Sequence, residues 1–142
     1  MGVPVPRYEL LDHTADLGIE VSAATVEGLF EEAALAMFDL LTDLSRVDPK
    51  VARRIDVAGV DREDLLVGWL GELLSICGAE NLLFGRFRVE ALGDRRLTAT
   101  AEGEPFDASR HVIKRELKAV THHAARVRED QRGVRGQVIF DV

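Results

Sequence analysis

The chain has 142 residues, 46% hydrophobic and 30% charged, the balance of an ordinary globular protein that fills one domain over residues 1–142. That composition excludes a disordered tail, a collagen-like chain and a coiled coil, and no apolar run approaches the ~20 residues that cross a bilayer, so no membrane partner is expected. The formal charge of −7, from 25 acidic against 18 basic residues, disfavours strong direct nucleic-acid binding and suits a basic protein surface as partner.

Residues 1–12 have neither the basic start nor the apolar core of a signal peptide. A single cysteine, Cys77, allows no internal disulfide, so a reducing cytoplasm is the expected setting. Residues 8–11 and 17–21 read as strands, separated by the polar insertion Asp12-His13-Thr14-Ala15-Asp16. Thr25 offers an N-cap, and Val26, Leu29, Phe30, Ala33, Met37, Leu40, Leu41 and Leu44 recur at helical spacing, with Glu27, Glu31, Glu32 and Asp39 on the other face.

Residues 51–57 alternate as a strand with Val51, Arg53, Ile55 and Val57 on one side. Asp61 caps a second helix whose stripe is Leu65, Leu66, Trp69, Leu70, Leu73 and Leu74, with Gly78 at the expected stop. Gly68 and Gly71 each cost that helix ~1 kcal/mol relative to alanine, which predicts close packing against a neighbour. Strands follow at residues 82–91, 96–102, 112–127 and 134–142, with a loop around Pro105 and turns at Gly93-Asp94 and Gln131-Arg132-Gly133. The order ββαβαββββ predicts an α+β fold: a mixed, largely antiparallel sheet with two helices packed on one face.

The phosphate-cradling, dinucleotide-binding and zinc-protease motifs are absent, and there is no CxxC. Cys77 lies beside an apolar stripe and reads as a buried inert thiol. His122 and His123 are neighbours on a predicted strand and so cannot chelate together, leaving His13 and His111 without a convincing zinc set. The carboxylates are more informative. Asp12 and Asp16 flank the insertion, and Asp141 precedes Val142, whose α-carboxylate would add an anion at a strand end. If the sheet gathers these groups, they repel unless a cation sits among them, and oxygen donors suit Ca²⁺, Mg²⁺ or Mn²⁺. Solvated turn acids and a frayed terminus are the other reading. Lysine is scarce, with Lys50, Lys114 and Lys118 the only three among the 18 basic residues. Lys118 is either an ammonium placed against the acids or a partner's anion, or a solvent-facing strand residue.

Y-E-L-L-D-H-T-A-D-L-G-I-E-V at 8–21, E-G-L-F-E-E-A-A-L-A-M-F-D-L-L-T-D at 27–43, L-K-A-V-T-H-H at 117–123 and V-I-F-D-V at 138–142 together closely resemble the archease family over essentially the whole chain. The resemblance implies a protein cofactor rather than a stand-alone enzyme. Archeases assist the RtcB-type tRNA-splicing RNA ligase, which uses GTP and Mn²⁺, by promoting its guanylylation and multiple turnover. The family's metal site falls on Asp16, Asp141 and Val142, its functional lysine on Lys118, and Asp12 and His13 are accessory candidates. A divalent ion, Ca²⁺ first and Mg²⁺ or Mn²⁺ as alternatives, is the implied cofactor. Two departures stand out: Ser22-Ala23-Ala24-Thr25 lacks the family's common glycine, and His122 replaces a frequent tyrosine. The rival readings are a metal-dependent hydrolase using the same acids with His13 as base, and a chaperone-like binding module for RNA-processing proteins.

Overall fold

The computed structural model of the protein describes residues 7–11 and 16–142. Seven strands and two long helices follow in the order β1 (Tyr8–Leu11), β2 (Asp16–Ala23), α1 (Val26–Leu41), β3 (Val51–Ala58), α2 (Arg62–Glu80), β4 (Leu82–Leu92), β5 (Arg96–Pro105), β6 (Ala119–Asp130) and β7 (Gly133–Asp141). This is the α+β class expected, with all strand pairs antiparallel. The strands divide between two sheets, β1-β2-β7-β6 and β3-β5-β4, rather than joining into one.

The reason lies in α1. Thr25 caps it by accepting the Gly28 N–H at 3.0 Å. Beyond the apolar stripe, Ala34, Ala36 and Phe38 are also fully buried, so the helix is covered around most of its circumference. One sheet cannot do that. α1 packs on β1, β2 and β7 on one side and β4 on the other, and α2 likewise touches β6 and the three-stranded sheet. Even the expected solvent acids are used: Asp39 accepts from the Tyr8 hydroxyl at 2.7 Å and Glu31 from the Val89 N–H at 2.9 Å. Leu44, the last member of the stripe, lies past the helix in a short 3₁₀ turn, Leu44–Arg46.

Asp61 caps α2 through the Asp64 N–H at 2.8 Å. The helix runs past Gly78 to Glu80 because Asn81, in the left-handed region at φ 56°, supplies the C-cap instead. Trp69 is fully buried and donates from Nε1 to the Phe30 carbonyl at 2.9 Å, joining the helices. Of the two glycines expected to be packed, Gly68 is: a Cβ there would meet Val57 Cγ1 at 2.9 Å. Gly71 is not, since nothing lies within 4 Å of a Cβ there or at Gly78. Gly71→Ala and Gly78→Ala are each expected to stabilise the protein by about 0.5–1 kcal/mol, with Gly68→Ala gaining less, as read from urea midpoints. A Gly71→Ala protein no more stable than wild type would contradict this.

The largest departure from the expected elements is at residues 112–127. Residues 106–118 form a loop whose backbone makes one isolated bridge, from Ile113 to Thr42, and β6 starts at Ala119. Val112 and Ile113, which look like strand residues, are 53% and 49% exposed. The loop's backbone is satisfied elsewhere: Lys114 N–H donates to the Leu41 carbonyl at 2.7 Å and the Val112 carbonyl accepts from the Thr42 hydroxyl at 2.6 Å.

Candidate functional site

Period-2 alternation positions the acids. In β2, Ile19 and Val21 are buried in the core, as are Val138 and Phe140 of β7. Asp16, Gly18 and Glu20 therefore share the opposite face with Asp141, Ile139 and Gln137, their register partners. Asp16 and Asp141 stand directly opposite each other at the end of the sheet where β2 begins and β7 ends. Directly paired residues have Cβ atoms about 4.5–5.5 Å apart, and like charges so placed repel. Under this pair Gly18 makes room for Ile139: a Cβ at Gly18 would meet Ile139 Cδ1 at 2.9 Å and Leu11 Cβ at 3.1 Å. Ile139 is fully buried although it lies on the face away from the helices, so the acids rest on a packed apolar layer.

The start of β6 completes this end of the sheet. Ala119 is the second register partner of Asp141, and the Lys118 N–H donates to the Asp141 carbonyl at 2.8 Å. The fold thus brings Asp16, Asp141 and Lys118, distant in sequence, to one edge. The Lys118 side chain is exposed and lines a groove with Leu41, Leu74, Cys77 and Leu83. It makes no ion pair among the described residues. Val142, past the end of β7, is 48% exposed. Asp12 and His13, the accessory candidates, lie outside the described residues. No cluster of three His, Cys, Asp or Glu side chains arranged for a metal occurs among the described residues. A cation at this edge would take carboxylate oxygens from Asp16 and Asp141 and a further oxygen from another group, a hard donor set that fits Ca²⁺, Mg²⁺ or Mn²⁺.

The other sequence candidates have structural surroundings. Burial pushes the Cys77 thiol up from its usual range, which keeps it protonated and unreactive. The strand carrying His122 and His123 is irregular: pairing with β7 breaks between Thr121 and Arg126, and Ala124 has φ 56°. Regular strand alternation therefore fails at these two histidines. His122 instead reaches Asp64 Oδ1 at 2.9 Å.

His111 belongs to a group that the sequence reading missed. Its Nδ1 accepts from the Asp107 N–H at 2.9 Å, which leaves the Nε2 proton directed to the Arg46 carbonyl at 3.0 Å. Glu104, 2% exposed, lies 3.4 Å from Nε2 and takes hydrogen bonds from the Asp48 N–H and Arg110. Burial alone would raise the Glu104 carboxyl, but these bonds outweigh it and hold the group at about 2. Nothing in the periodicity announces this. The only sequence signal is a glutamate ending a strand a few residues before an Arg-His pair.

The comparisons with known proteins agree with the motifs. The model of the archease protein family matches residues 8–142. The chain belongs to the archease family. It is 37% identical to protein archease of Methanosarcina barkeri over 140 residues, 96% of each chain, and 41% identical to that of Sulfolobus acidocaldarius over 118 residues, 82% of this chain and 85% of the relative. The solution structure of Methanobacterium thermoautotrophicum protein 1598 superposes with a TM-score of 0.82 at 38% identity, covering 95% of this chain and 98% of that one. The archease fold is therefore shared over nearly the full chain. No helix among the described residues is long and apolar enough to cross a membrane.

Proposed function

We propose that this archease-family protein activates an RtcB-type tRNA-splicing RNA ligase, acting as a protein cofactor through the edge formed by Asp16, Asp141, Val142 and Lys118. The observation that carries the reading is the register of the four-stranded sheet. Two aspartates are directly opposed at one sheet edge, and the Lys118 amide is tied to the second of them. A folding requirement alone does not call for opposed like charges at an edge, because they oppose pairing. A bound divalent cation would reverse that penalty, with the two aspartate side chains and Val142 as its donors.

Phosphoryl and nucleotidyl transfer depends on positioning metal ions and cations against developing negative charge. Asp16 and Asp141 hold charge at the end of the sheet, and Lys118 offers an exposed ammonium beside them for a phosphate of the ligase's nucleotide or RNA. Promotion of ligase guanylylation, and hence many joining events per ligase, is the role these residues suit.

The test is multiple-turnover RNA joining by the purified cognate ligase, with this protein at substoichiometric amounts. Wild-type protein is expected to raise product beyond one equivalent per ligase. Asp16→Ala and Lys118→Ala proteins with unchanged circular dichroism and melting behaviour are expected to lose most of that effect. Activation that survives both substitutions in folded protein would sink the proposal.

A further inference from the structure

The outer face of the four-stranded sheet carries a cluster of arginines that the acidic edge does not use. Arg128 of β6 is the register partner of Arg135 of β7, and Arg126, two residues before Arg128, is opposite Gln137. Directly opposed residues share a face, and this one is turned away from the helices, because Val134 and Val138 of β7 are buried in the core. All three arginines are exposed, and none forms an ion pair among the described residues. They line an open groove of about 360 Å³ with Glu20, Asp130 and Gln137. Asp130 is engaged with its own turn, accepting the Arg132 N–H at 2.7 Å. Arg135 also borders the two adjoining hollows, shared with Arg7 and Arg132.

Like charges directly opposed across two strands cost stability, and although Glu20 and Asp130 border the groove, neither comes within ion-pair distance of these three arginines. Guanidinium groups bind phosphate oxygens in a bidentate manner, and Arg126 and Arg128 are roughly 6.6 Å apart along the strand, comparable to successive phosphates of an RNA strand. The lining of the groove contains no aromatic residue on which a base could stack, so the contact would be to the backbone and indifferent to sequence. We infer that the Arg126–Arg128–Arg135 face binds the phosphodiester backbone of RNA, as a weak electrostatic contact separate from the acidic edge. The choice of RNA among phosphate polymers rests on the proposed function. The net charge of −7 opposes such binding globally, and the contact works because the positive groups are concentrated on one face.

The experiment is fluorescence anisotropy of a fluorescein-labelled single-stranded RNA oligonucleotide titrated with this protein at low salt, without any ligase. Neutralising about three phosphates predicts a slope of about −2 for log affinity against log salt. The Arg126→Gln/Arg128→Gln/Arg135→Gln protein is expected to bind at least about tenfold more weakly, while Arg54→Gln/Arg96→Gln on the other sheet binds like wild type. Arg135→Gln alone is expected to melt at a higher temperature than wild type, since it relieves the opposed pair. Absence of salt-dependent binding, or equal affinity in the triple variant, would overturn the inference. So would displacement of RNA by polyglutamate at equal charge concentration, which would assign the face to an acidic protein surface. Because the ligase is absent, failure here leaves the activation reading intact, and failure of activation leaves this binding measurable.

Discussion

Replacing Glu104 with glutamine is expected to destabilise the protein at neutral pH and to flatten its loss of stability in acid. In the folded protein the Glu104 carboxyl sits at about 2, against a usual 4.5. Below pH 4.5 the unfolded chain takes up a proton that the folded protein refuses until about pH 2. The contribution is therefore complete above pH 4.5, declines between 4.5 and 2, and is gone below that. A shift of this size corresponds to about 3 kcal/mol at neutral pH. The partner Arg110 is 36% exposed, so solvent screening brings the contribution below that figure. Urea midpoints across pH 2–7 test it: the gap between wild type and Glu104→Gln should be widest above 4.5 and close toward 2. A gap independent of pH would contradict it.

The consequence extends to the candidate site. Glu104 holds Arg110 and approaches His111, and His111 bonds both its own loop at Asp107 and the neighbouring turn at Arg46. Those bonds anchor the start of the loop whose far end is Lys118. Further along, Lys114 Nζ donates to the Asp39 carbonyl at 2.6 Å, and Leu117 is buried. Release of the loop at Glu104 is thus expected to reduce the proposed ligase activation together with stability.

Gly103→Ala is expected to be the most damaging substitution among the described glycines. A Cβ there would lie 1.8 Å from the Leu83 carbonyl oxygen and 2.7 Å from both Leu83 C and Phe84 Cα. These are backbone atoms, so no rotamer change relieves the overlap. Gly103 pairs with Phe84 just before the register of β4 against β5 shifts, and with Val51 on its other side. Backbones approach this closely in a strand only where a side chain is missing. Separating β4 from β5 would cost at least about 3 kcal/mol, a large share of the stability of a typical domain. A melting temperature lower by at least about 8 °C is expected, and an unchanged one would show that the sheet relaxes around the methyl.

Local signals carried a large part of the fold. Thr25 and Asp61 announce their helices because an N-cap acts on N–H groups only three residues away. Strand alternation in 51–57 reproduces the observed burial because the three-stranded sheet has one covered face. The helix stop at Gly78 was misplaced for a related reason: a glycine marks where a helix can end, while the αL residue that ends it is Asn81. Residues 112–118 have strand composition but belong to no strand of either sheet, and the loop is instead held by Thr42, Leu41 and the Glu104 group.

By itself the sequence determined the α+β class, the two capped helices, the family and the short list of acids and lysine. These depend on composition and on spacing within a few residues. Tertiary structure alone decided that the strands form two sheets, that Asp16 faces Asp141 across nearly the whole length of the chain, that Glu104 is buried among its cations and that three arginines share one face. Each of those depends on contacts between residues distant in sequence, which are set by how the apolar faces of the two sheets close over α1 and α2.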